Sequence, residues 1–177
     1  MIKWGILGLG NMANKFAEAI LEVANAKLVS ISSLSKKKAE SFGRKFDIDK
    51  RYRFNTYEEL INCKEVDAVY IATLNNTHAN LIIKSADAGK SILCEKPMTM
   101  TVEEGEELFS ISQKTKKICA VNYGYSGFSL VREMKSMVER GILGKVRLVK
   151  AEFAHGHHAN AVDANNPRVR WRYDPKQ

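Results

Sequence analysis

The chain has 177 residues, of which 45% are hydrophobic and 27% charged, so it is long enough for one well-buried domain and the beginning of another. The formal net charge is +8. The sequence shows neither the basic stripe with interleaved aromatic residues nor the docking motif of a nucleic-acid-binding protein. The charge is therefore explained by a basic solvated surface or by the attraction of an anionic ligand. No apolar run approaches the roughly 20 residues of a membrane span, no signal peptide precedes the first strand, and the three cysteines lack zinc-site spacing, which favours a cytoplasmic protein with reduced thiols.

The first fourteen residues predict a strand, a glycine turn and a helix. Residues 2–7 form a short apolar run suited to a buried strand, and G-x-G-x-x-A follows at residues 8–13. Gly8 allows the tight turn, Gly10 lets the backbone approach a pyrophosphate, and Ala13 allows close helix-strand packing. The free amides of the helix N-terminus favour phosphate. The pattern predicts a dinucleotide site, against the plainer alternative of an ordinary strand-turn-helix corner; its candidate residues are Gly8, Gly10, Asn11 and Met12.

A second strand is predicted over residues 28–33, and its end bears on the choice of cofactor. About twenty residues past the glycines, NAD-binding proteins carry an acidic residue for the ribose hydroxyl. Here the run is Ser-Leu-Ser-Lys-Lys-Lys at residues 33–38. Hydroxyl and ammonium groups suit a 2′-phosphate, so the sequence favours NADP over NAD, with Ser33, Ser35 and Lys38 as candidate contacts. The alternative is that the lysines form only the solvated start of a helix.

The remaining pattern alternates helices with strands. Helices are predicted over Lys36–Phe46, from Thr56 to about Asn62, from an N-cap at Thr77 to Ala88 before Gly89, and from Thr101 to about Lys116, with capping boxes at Thr56–Glu59 and Thr101–Glu104. Strands are predicted at residues 52–54, 67–73, 91–94 and 118–122. This alternation predicts an α/β fold with a doubly wound parallel sheet, a dinucleotide-binding Rossmann domain over residues 1–122.

The regular alternation of predicted strands and helices ends after Asn122. An aromatic and glycine-rich stretch covers residues 123–127, a helix is predicted over Phe128–Arg140, and a strand over Lys145–Phe153. Residues 155–177 are polar and irregular. We therefore expect residues 123–177 to begin an incomplete α+β second domain.

Charged residues stand out at one strand end, where ligands bind in open parallel sheets. Glu95, Lys96 and Pro97 directly follow a buried strand, where charge is costly unless it is paired or in use. A lysine in a partly desolvated cleft passes protons near neutral pH, so Lys96 is a candidate acid/base; the alternative is a Glu95 salt bridge that only holds a loop. His78 is interpreted as orienting a loop rather than shuttling a proton.

A histidine-rich stretch near the end of the chain raises the question of a metal site. His155, His157 and His158 have no matching carboxylate or cysteine at ligand spacing, so no metal site is predicted.

These stretches together resemble the glucose-fructose oxidoreductase / inositol dehydrogenase (Gfo/Idh/MocA) family. The matching runs are WGILGLGNMA at 4–13, VYIATLNNTHANL at 69–81, AGKSILCEKP at 88–97 and GILGKVRLVKAEF at 141–153. The resemblance implies an NAD(P)-dependent oxidoreductase acting on a CH–OH group of a sugar or polyol, with Lys96 as the catalytic lysine near the nicotinamide. It further implies that the cofactor contacts include Thr73, Leu74, Asn75, His78, Glu95, Lys96, Pro97, Trp171 and Arg172.

Two departures from the family pattern affect the functional interpretation. The arginine and proline that often follow the domain junction are absent, and Tyr123 and Tyr125 are the candidate substrate contacts there. The chain also ends before the family's Asp-and-His element and the sheet through which members associate, so homo-oligomerisation stays open. A catalytically inactive dinucleotide-binding module is therefore the alternative to an enzyme, and a nucleic-acid-binding Rossmann protein is a weaker third.

Overall fold

The first unit of the chain, Met1–Asn122, alternates strands with helices, in a computed structural model that describes residues 1–154. The strands are β1 (Ile2–Leu7), β2 (Ala26–Ser32), β3 (Arg53–Phe54), β4 (Ala68–Ile71), β5 (Ser91–Glu95) and β6 (Cys119–Asn122). The helices are α1 (Asn11–Ile20), α2 (Lys36–Lys45), α3 (Tyr57–Ile61), α4 (His78–Asp87) and α5 (Val102–Lys114), with short 3-10 helices at Lys50–Tyr52 and Asn75–Thr77.

The six strands form one parallel sheet in the order β3-β2-β1-β4-β5-β6. The predicted doubly wound parallel sheet is confirmed. The strand order reverses between β1 and β4, and ligands of such sheets bind outside the carboxyl ends of the strands at this reversal. The same edge of the sheet therefore collects the loops that follow β1, β2, β4 and β5.

Apolar side chains cover both faces of the sheet, because successive residues of a strand point to opposite sides. Ile6 and Tyr70 belong to a cluster with α1 and α2, whereas Leu7 and Ile71 belong to a cluster with α3, α4 and α5. All four of these side chains are fully buried. The two clusters fix the strands, so the polar residues at the strand ends extend from a rigid base.

Two helices begin with the threonines that the sequence singled out, but only one has a complete capping box. Thr56 Oγ1 accepts the amide of Glu59 at 3.3 Å, and the Glu59 carboxylate accepts the amide of Thr56 at 3.0 Å. Thr101 Oγ1 accepts the amide of Glu104 at 3.2 Å, but the Glu104 carboxylate accepts the amide of Met100 at 2.7 Å. The second predicted box is thus only half formed, because the chain before Thr101 offers that carboxylate another donor.

A second unit begins at Tyr123, where a 3-10 helix, Gly124–Gly127, precedes α6 (Ser129–Glu139). The strand predicted over Lys145–Phe153 is wrong: residues 145–154 form no regular element. A strand needs a neighbour to take its backbone hydrogen bonds, and within residues 1–154 no strand pairs with this segment. Leu148 and Val149 are accordingly exposed. Among the described residues, no helix combines the length and the apolar character that a membrane crossing requires.

Candidate functional site

Gly8 closes the turn after β1, and two independent features require glycine there. Its φ is +84°, in the left-handed region that other residues rarely adopt. A Cβ at this position would lie 2.8 Å from both Ala72 O and Thr73 Cγ2. The turn therefore packs directly against the loop that follows β4.

Gly10 is different, because the protein itself does not require glycine at this position. A Cβ there would meet no atom within 4 Å, and the φ of −94° is open to other residues. Gly10 is the N-cap of α1, and no side chain caps this helix terminus. The first turn carries no acidic side chain, and Asn11 and Met12 are exposed. Open space beside uncapped helix amides fits a phosphate group that approaches the backbone.

The loop after β2 carries hydroxyls and lysines at the start of α2. Ser33 Oγ accepts the amide of Ser35 at 3.2 Å, and Ser35 Oγ accepts the amide of Lys38 at 3.4 Å. Each hydroxyl keeps a proton that it can donate to a ligand. Lys36, Lys37 and Lys38 are exposed in the first turn of α2, which holds no acidic residue. Cations are unfavourable at this positive end of a helix dipole, so the cluster suits an anion.

His78 joins two loops at the edge of the sheet. The imidazole is fully buried, with Nδ1 at 2.7 Å from Pro97 O and Nε2 at 3.3 Å from Thr73 O. Both neighbours are carbonyl oxygens, so the ring acts as a donor, most directly to Pro97. The ring thus ties the loop after β4 to the segment after β5, in agreement with the loop-orienting interpretation.

Thr77 lies at the predicted N-cap position of α4 but does not cap the helix with its side chain. Its own backbone is already helical, at φ −104° and ψ −11°, and its hydroxyl donates to Leu74 O at 2.7 Å. The hydroxyl also lies 2.7 Å from Thr73 Oγ1. These contacts hold the short turn that presents Leu74 and Asn75 at the rim.

Glu95, the last residue of β5, is buried and belongs to a polar network across three strands. Its Oε1 accepts the Tyr70 hydroxyl at 2.5 Å and the Asn122 side-chain amide at 2.7 Å. Burial, together with the hydrogen bond to Glu95, raises the pKa of Tyr70 above its ordinary range, so this hydroxyl stays protonated and donates. Within residues 1–154 no Lys or Arg forms an ion pair with Glu95, so the salt bridge considered from the sequence is replaced by two neutral donors.

Sequence reasoning missed Tyr70 and Asn122. Tyr70 counted there only as one residue of a buried strand, and Asn122 only as a strand end and domain boundary, with no role assigned to either side chain. The available signal was register: Asn122 pairs directly with Glu95, and Tyr70 pairs with Leu93, two residues before it. A buried carboxylate in β5 needs donors from the strands on either side.

Aromatic packing fixes the ring of Tyr70. Phe16 of α1 stacks on it with ring centroids 4.0 Å apart, and Trp4 packs edge-on against Phe16 at 5.3 Å. The helix that starts at the glycine turn therefore supports the tyrosine that holds Glu95. This packing links the phosphate-binding candidate to the β5 end.

Lys96 lies on the rim, exposed to solvent, and the Lys96–Pro97 peptide bond is cis. The sequence suggested a partly desolvated lysine; in this structure β5 ends with Glu95 turned inward, and the chain leaves the sheet at Lys96. The ammonium group is thus accessible beside a buried carboxylate-bearing residue. It can exchange a proton with a ligand that lies along this edge.

The remaining candidates lie elsewhere in the chain. Tyr123 and Tyr125 are exposed in the second unit, where the Tyr125 ring packs against Phe128 and Phe153 with centroids 5.6 and 5.7 Å apart. Other candidates fall outside the described residues: Trp171, Arg172, His155, His157 and His158. Within residues 1–154, no three His, Cys, Asp or Glu side chains are grouped so that they could hold a metal ion.

Comparisons with known proteins agree with this geometry. A family model, Gfo/Idh/MocA, described as an oxidoreductase family with an NAD-binding Rossmann fold, matches residues 2–123. The chain is 28% identical over 153 residues to trans-1,2-dihydrobenzene-1,2-diol dehydrogenase of Xenopus tropicalis, covering 85% of this chain and 46% of that protein. It is 27% identical over 145 residues to 1,5-anhydro-D-fructose reductase of Ensifer adhaerens, covering 82% and 43% respectively.

A solved oxidoreductase of Pseudomonas syringae superposes with a TM-score of 0.75 at 29% identity, over 82% of this chain and 42% of that one. The chain spans less than two thirds of its curated relatives, with shares from 37% to 50% among the most similar ones. The region that the family model matches, residues 2–123, carries the glycine turn and the Glu95–Lys96–Pro97 segment.

Proposed function

This chain belongs to the Gfo/Idh/MocA oxidoreductase family, and on that premise we propose that it binds NADP(H) in preference to NAD(H) and serves hydride transfer at a CH–OH carbon of a sugar- or polyol-like substrate. The observation that carries the proposal is the start of α1. Its amides have no side-chain cap, and the position of Gly10 leaves open space that no residue of residues 1–154 fills. A pyrophosphate fits this space and this charge.

The preference for NADP rests on the end of β2. This strand lies beside β1, and in dinucleotide-binding folds its end contacts the adenosine ribose of the cofactor. The position holds Ser33 and Ser35 rather than a carboxylate, followed by exposed lysines at a helix N-terminus. A 2′-phosphate there would accept charge-assisted hydrogen bonds, with Lys38 as the first candidate donor.

The chemistry assigns Lys96 the role of acid/base. The nicotinamide, when bound, donates or accepts the hydride; the residues of this chain bind, orient and exchange protons. Lys96 is exposed on the rim and lies between buried Glu95 and Pro97, whose carbonyl the His78 ring binds at 2.7 Å. Its ammonium would donate a proton to, or its amine accept one from, the substrate oxygen. The names of the relatives, a diol dehydrogenase and a sugar reductase, support a carbinol or carbonyl substrate.

A second candidate function is a dinucleotide-binding module that catalyses nothing. The observation that favours it is that the region matched by the family model, residues 2–123, is described as an NAD-binding Rossmann fold, so cofactor binding is the part of the activity that this region supports directly. Lys96→Ala separates the candidates if the parent turns over a polyol or keto-sugar. Loss of turnover with unchanged cofactor affinity supports the enzyme, and absence of turnover in the parent supports the module.

We further propose a cytoplasmic location, which the thiols support. Cys63, Cys94 and Cys119 are free, and burial raises the pKa of Cys94 to about 12 and that of Cys119 above its ordinary value. Thiols that stay protonated and reduced suit a cytoplasmic protein. Labelling of thiols in a freshly lysed cell would find all three reduced if this assignment holds.

The test of cofactor binding is a titration of the purified chain with NADPH and NADH, followed by nicotinamide fluorescence. We expect NADPH to bind at least about tenfold more tightly than NADH. Gly10→Ala should keep the melting temperature and lower NADPH affinity by more than about tenfold, because a methyl group fills the space that the pyrophosphate needs.

The matched control is Gly105→Ala in α5. A Cβ there would meet only Thr99 Oγ1, at the ordinary distance of 3.7 Å, so neither stability nor affinity should fall. Binding that Gly10→Ala leaves intact would contradict the pyrophosphate assignment. Equal affinity for NADPH and NADH would contradict the assignment of the lysines alone.

A further inference from the structure

The structure holds a buried carboxylate whose only side-chain partners, within residues 1–154, are neutral. Glu95 is 7% exposed, and its Oε1 accepts one hydrogen bond from Tyr70 and one from Asn122. Two donors directed at a single oxygen suit the anionic form of the group. A buried anion is costly unless a positive charge accompanies it, and no Lys or Arg of the described residues does so.

The fold determines which part of a dinucleotide comes to this carboxylate. The pyrophosphate site at α1 lies between β1 and β4, and the ribose position at the end of β2 takes the adenosine half. The other mononucleotide then extends over the carboxyl ends of β4, β5 and β6. These three strands are the ones that supply Tyr70, Glu95 and Asn122.

We propose that Glu95 discriminates between the two redox states of the cofactor: its carboxylate stabilises the positively charged oxidised nicotinamide and leaves the neutral reduced ring unaffected. The proposal rests on the proposed function, since it requires cofactor at this edge. Tyr70 and Asn122 act as positioning residues, because they hold the carboxylate oxygen in place across the sheet. Phe16, stacked on Tyr70 at 4.0 Å, connects this network to the helix at the pyrophosphate site.

The sign of the effect separates this role from a structural one. Loss of a merely structural hydrogen bond weakens both redox states together, because it disturbs the shape that both share. Loss of a negative charge weakens only the ligand that carries the extra positive charge. The ratio of the NADP⁺ and NADPH dissociation constants is therefore the diagnostic quantity.

The experiment measures both dissociation constants by calorimetry for the parent chain and for Glu95→Gln, which keeps the shape and removes the charge. We expect NADP⁺ affinity to fall about tenfold and NADPH affinity to change less than about twofold. The tenfold loss is what one charge–charge contact contributes at the effective dielectric constant found near a protein surface. Glu65→Gln is the control of equal charge: Glu65 pairs with Lys3 at 2.7 Å near the start of β1, at the opposite edge of the sheet. The control should leave the ratio unchanged.

Asn122→Ala provides a second route if the Glu95 variant does not fold. Asn122 is half-buried on β6, an edge strand, and its loss loosens the carboxylate without removing it. We expect a shift of the ratio in the same direction, of about two- to threefold. Equal weakening of both redox states in these variants, or an unchanged ratio, overturns the proposal. A parent chain that binds neither form overturns the proposed function instead.

Discussion

The two halves of the sheet prepare their carboxyl edges in different ways. The half formed by β1, β2 and β3 offers backbone amides at Gly10 and exposed lysines at the start of α2, and the hydroxyls of Ser33 and Ser35 after β2 accept amides two and three residues further on. The hydroxyls inside β2 are different, because Ser30 and Ser32 donate to the carbonyls of Tyr52 and Thr56. The half formed by β4, β5 and β6 offers side chains that bond across 25 and 27 positions of sequence, at the centre of which is Glu95. The groups exposed at the first edge are held by local contacts, and those at the second edge by contacts that only the tertiary structure assembles.

This difference has an energetic consequence. A substitution of the exposed groups at the first edge removes few contacts within the protein. A substitution at the second edge leaves a buried donor or acceptor without its partner, which costs stability as well as binding.

Gly8→Ala should be the strongest exception to this division between the two edges. Gly8 lies in the turn after β1, in the first half of the sheet, but it packs against the loop after β4, in the second half. The new Cβ would lie 2.8 Å from Ala72 O, a backbone atom that cannot move cheaply, at a φ of +84°. We expect the free energy of unfolding to fall by roughly 2–5 kcal/mol, from combined strain and overpacking, as measured by urea denaturation. Gly10→Ala, in open space two residues later, is the control, and similar losses at both positions would refute the explanation.

His78→Leu should sharpen the division, since it removes the ring that joins the two loops. We expect the free energy of unfolding to fall by about 2 kcal/mol, because Pro97 O loses its hydrogen-bond donor. Hydrogen exchange at the amides near Lys96 should accelerate, since the ring no longer restrains this segment. Asn80→Ala, at an exposed position of the same helix, should change neither quantity; unchanged exchange in the His78 variant would exclude the restraint.

Tyr70→Phe should have a smaller effect, because Glu95 keeps its bond from Asn122. We expect a loss of about 1–1.5 kcal/mol near neutral pH, the upper part of the net contribution of a typical hydrogen bond. Since burial and Glu95 raise the pKa of Tyr70 in the folded state, its contribution is complete below the ordinary tyrosine pKa of about 10 and is lost as the pH rises above it. The stability difference between parent and variant should therefore shrink in alkaline solution.

The control for this variant is Tyr57→Phe. Tyr57 is half-buried, and its hydroxyl makes no hydrogen bond within residues 1–154. The loss of stability should stay below about 0.5 kcal/mol, as for a substitution away from any buried network. A Tyr70 difference that persists unchanged to high pH would show that the ring packing, not the hydroxyl, accounts for the effect.

The same division explains what the sequence predicted. The order and type of the elements in residues 1–122 follow from local patterns, such as the apolar run of β1 and the threonine that caps α3. The glycine turn is also local, so a phosphate-binding site at the start of α1 could be predicted from the first fourteen residues alone. The predicted strand over residues 145–153 was wrong, because a strand depends on a partner that alternation cannot reveal.

The β4–β6 edge was only partly predictable, for the same physical reason. The sequence marked Glu95 as a charge that a buried strand would have to accommodate, but not how it would do so. The donors on Tyr70 and Asn122 come from neighbouring strands, and their choice depends on the register of a parallel sheet. The sequence favoured a structural role for His78, but the partner loop at Pro97 lies 19 positions away and could not be identified.

The lysines at the start of α2 are the opposite case to Gly8, because their substitution should not lower the free energy of unfolding at all. Changing Lys36, Lys37 and Lys38 together to Gln removes three exposed cations from the positive end of a helix dipole, so the melting temperature should stay the same or rise slightly. NADPH affinity should fall about tenfold at low salt, because the 2′-phosphate loses its charged donors, while NADH affinity stays unchanged. Gln at Lys114, Lys116 and Lys117, which are exposed around the end of α5, removes the same charge as a control and should leave both affinities unchanged. If both triple variants lower NADPH affinity equally, the net charge of +8 attracts the cofactor without a local site. In that case the lysines at the start of α2 do not bind the 2′-phosphate.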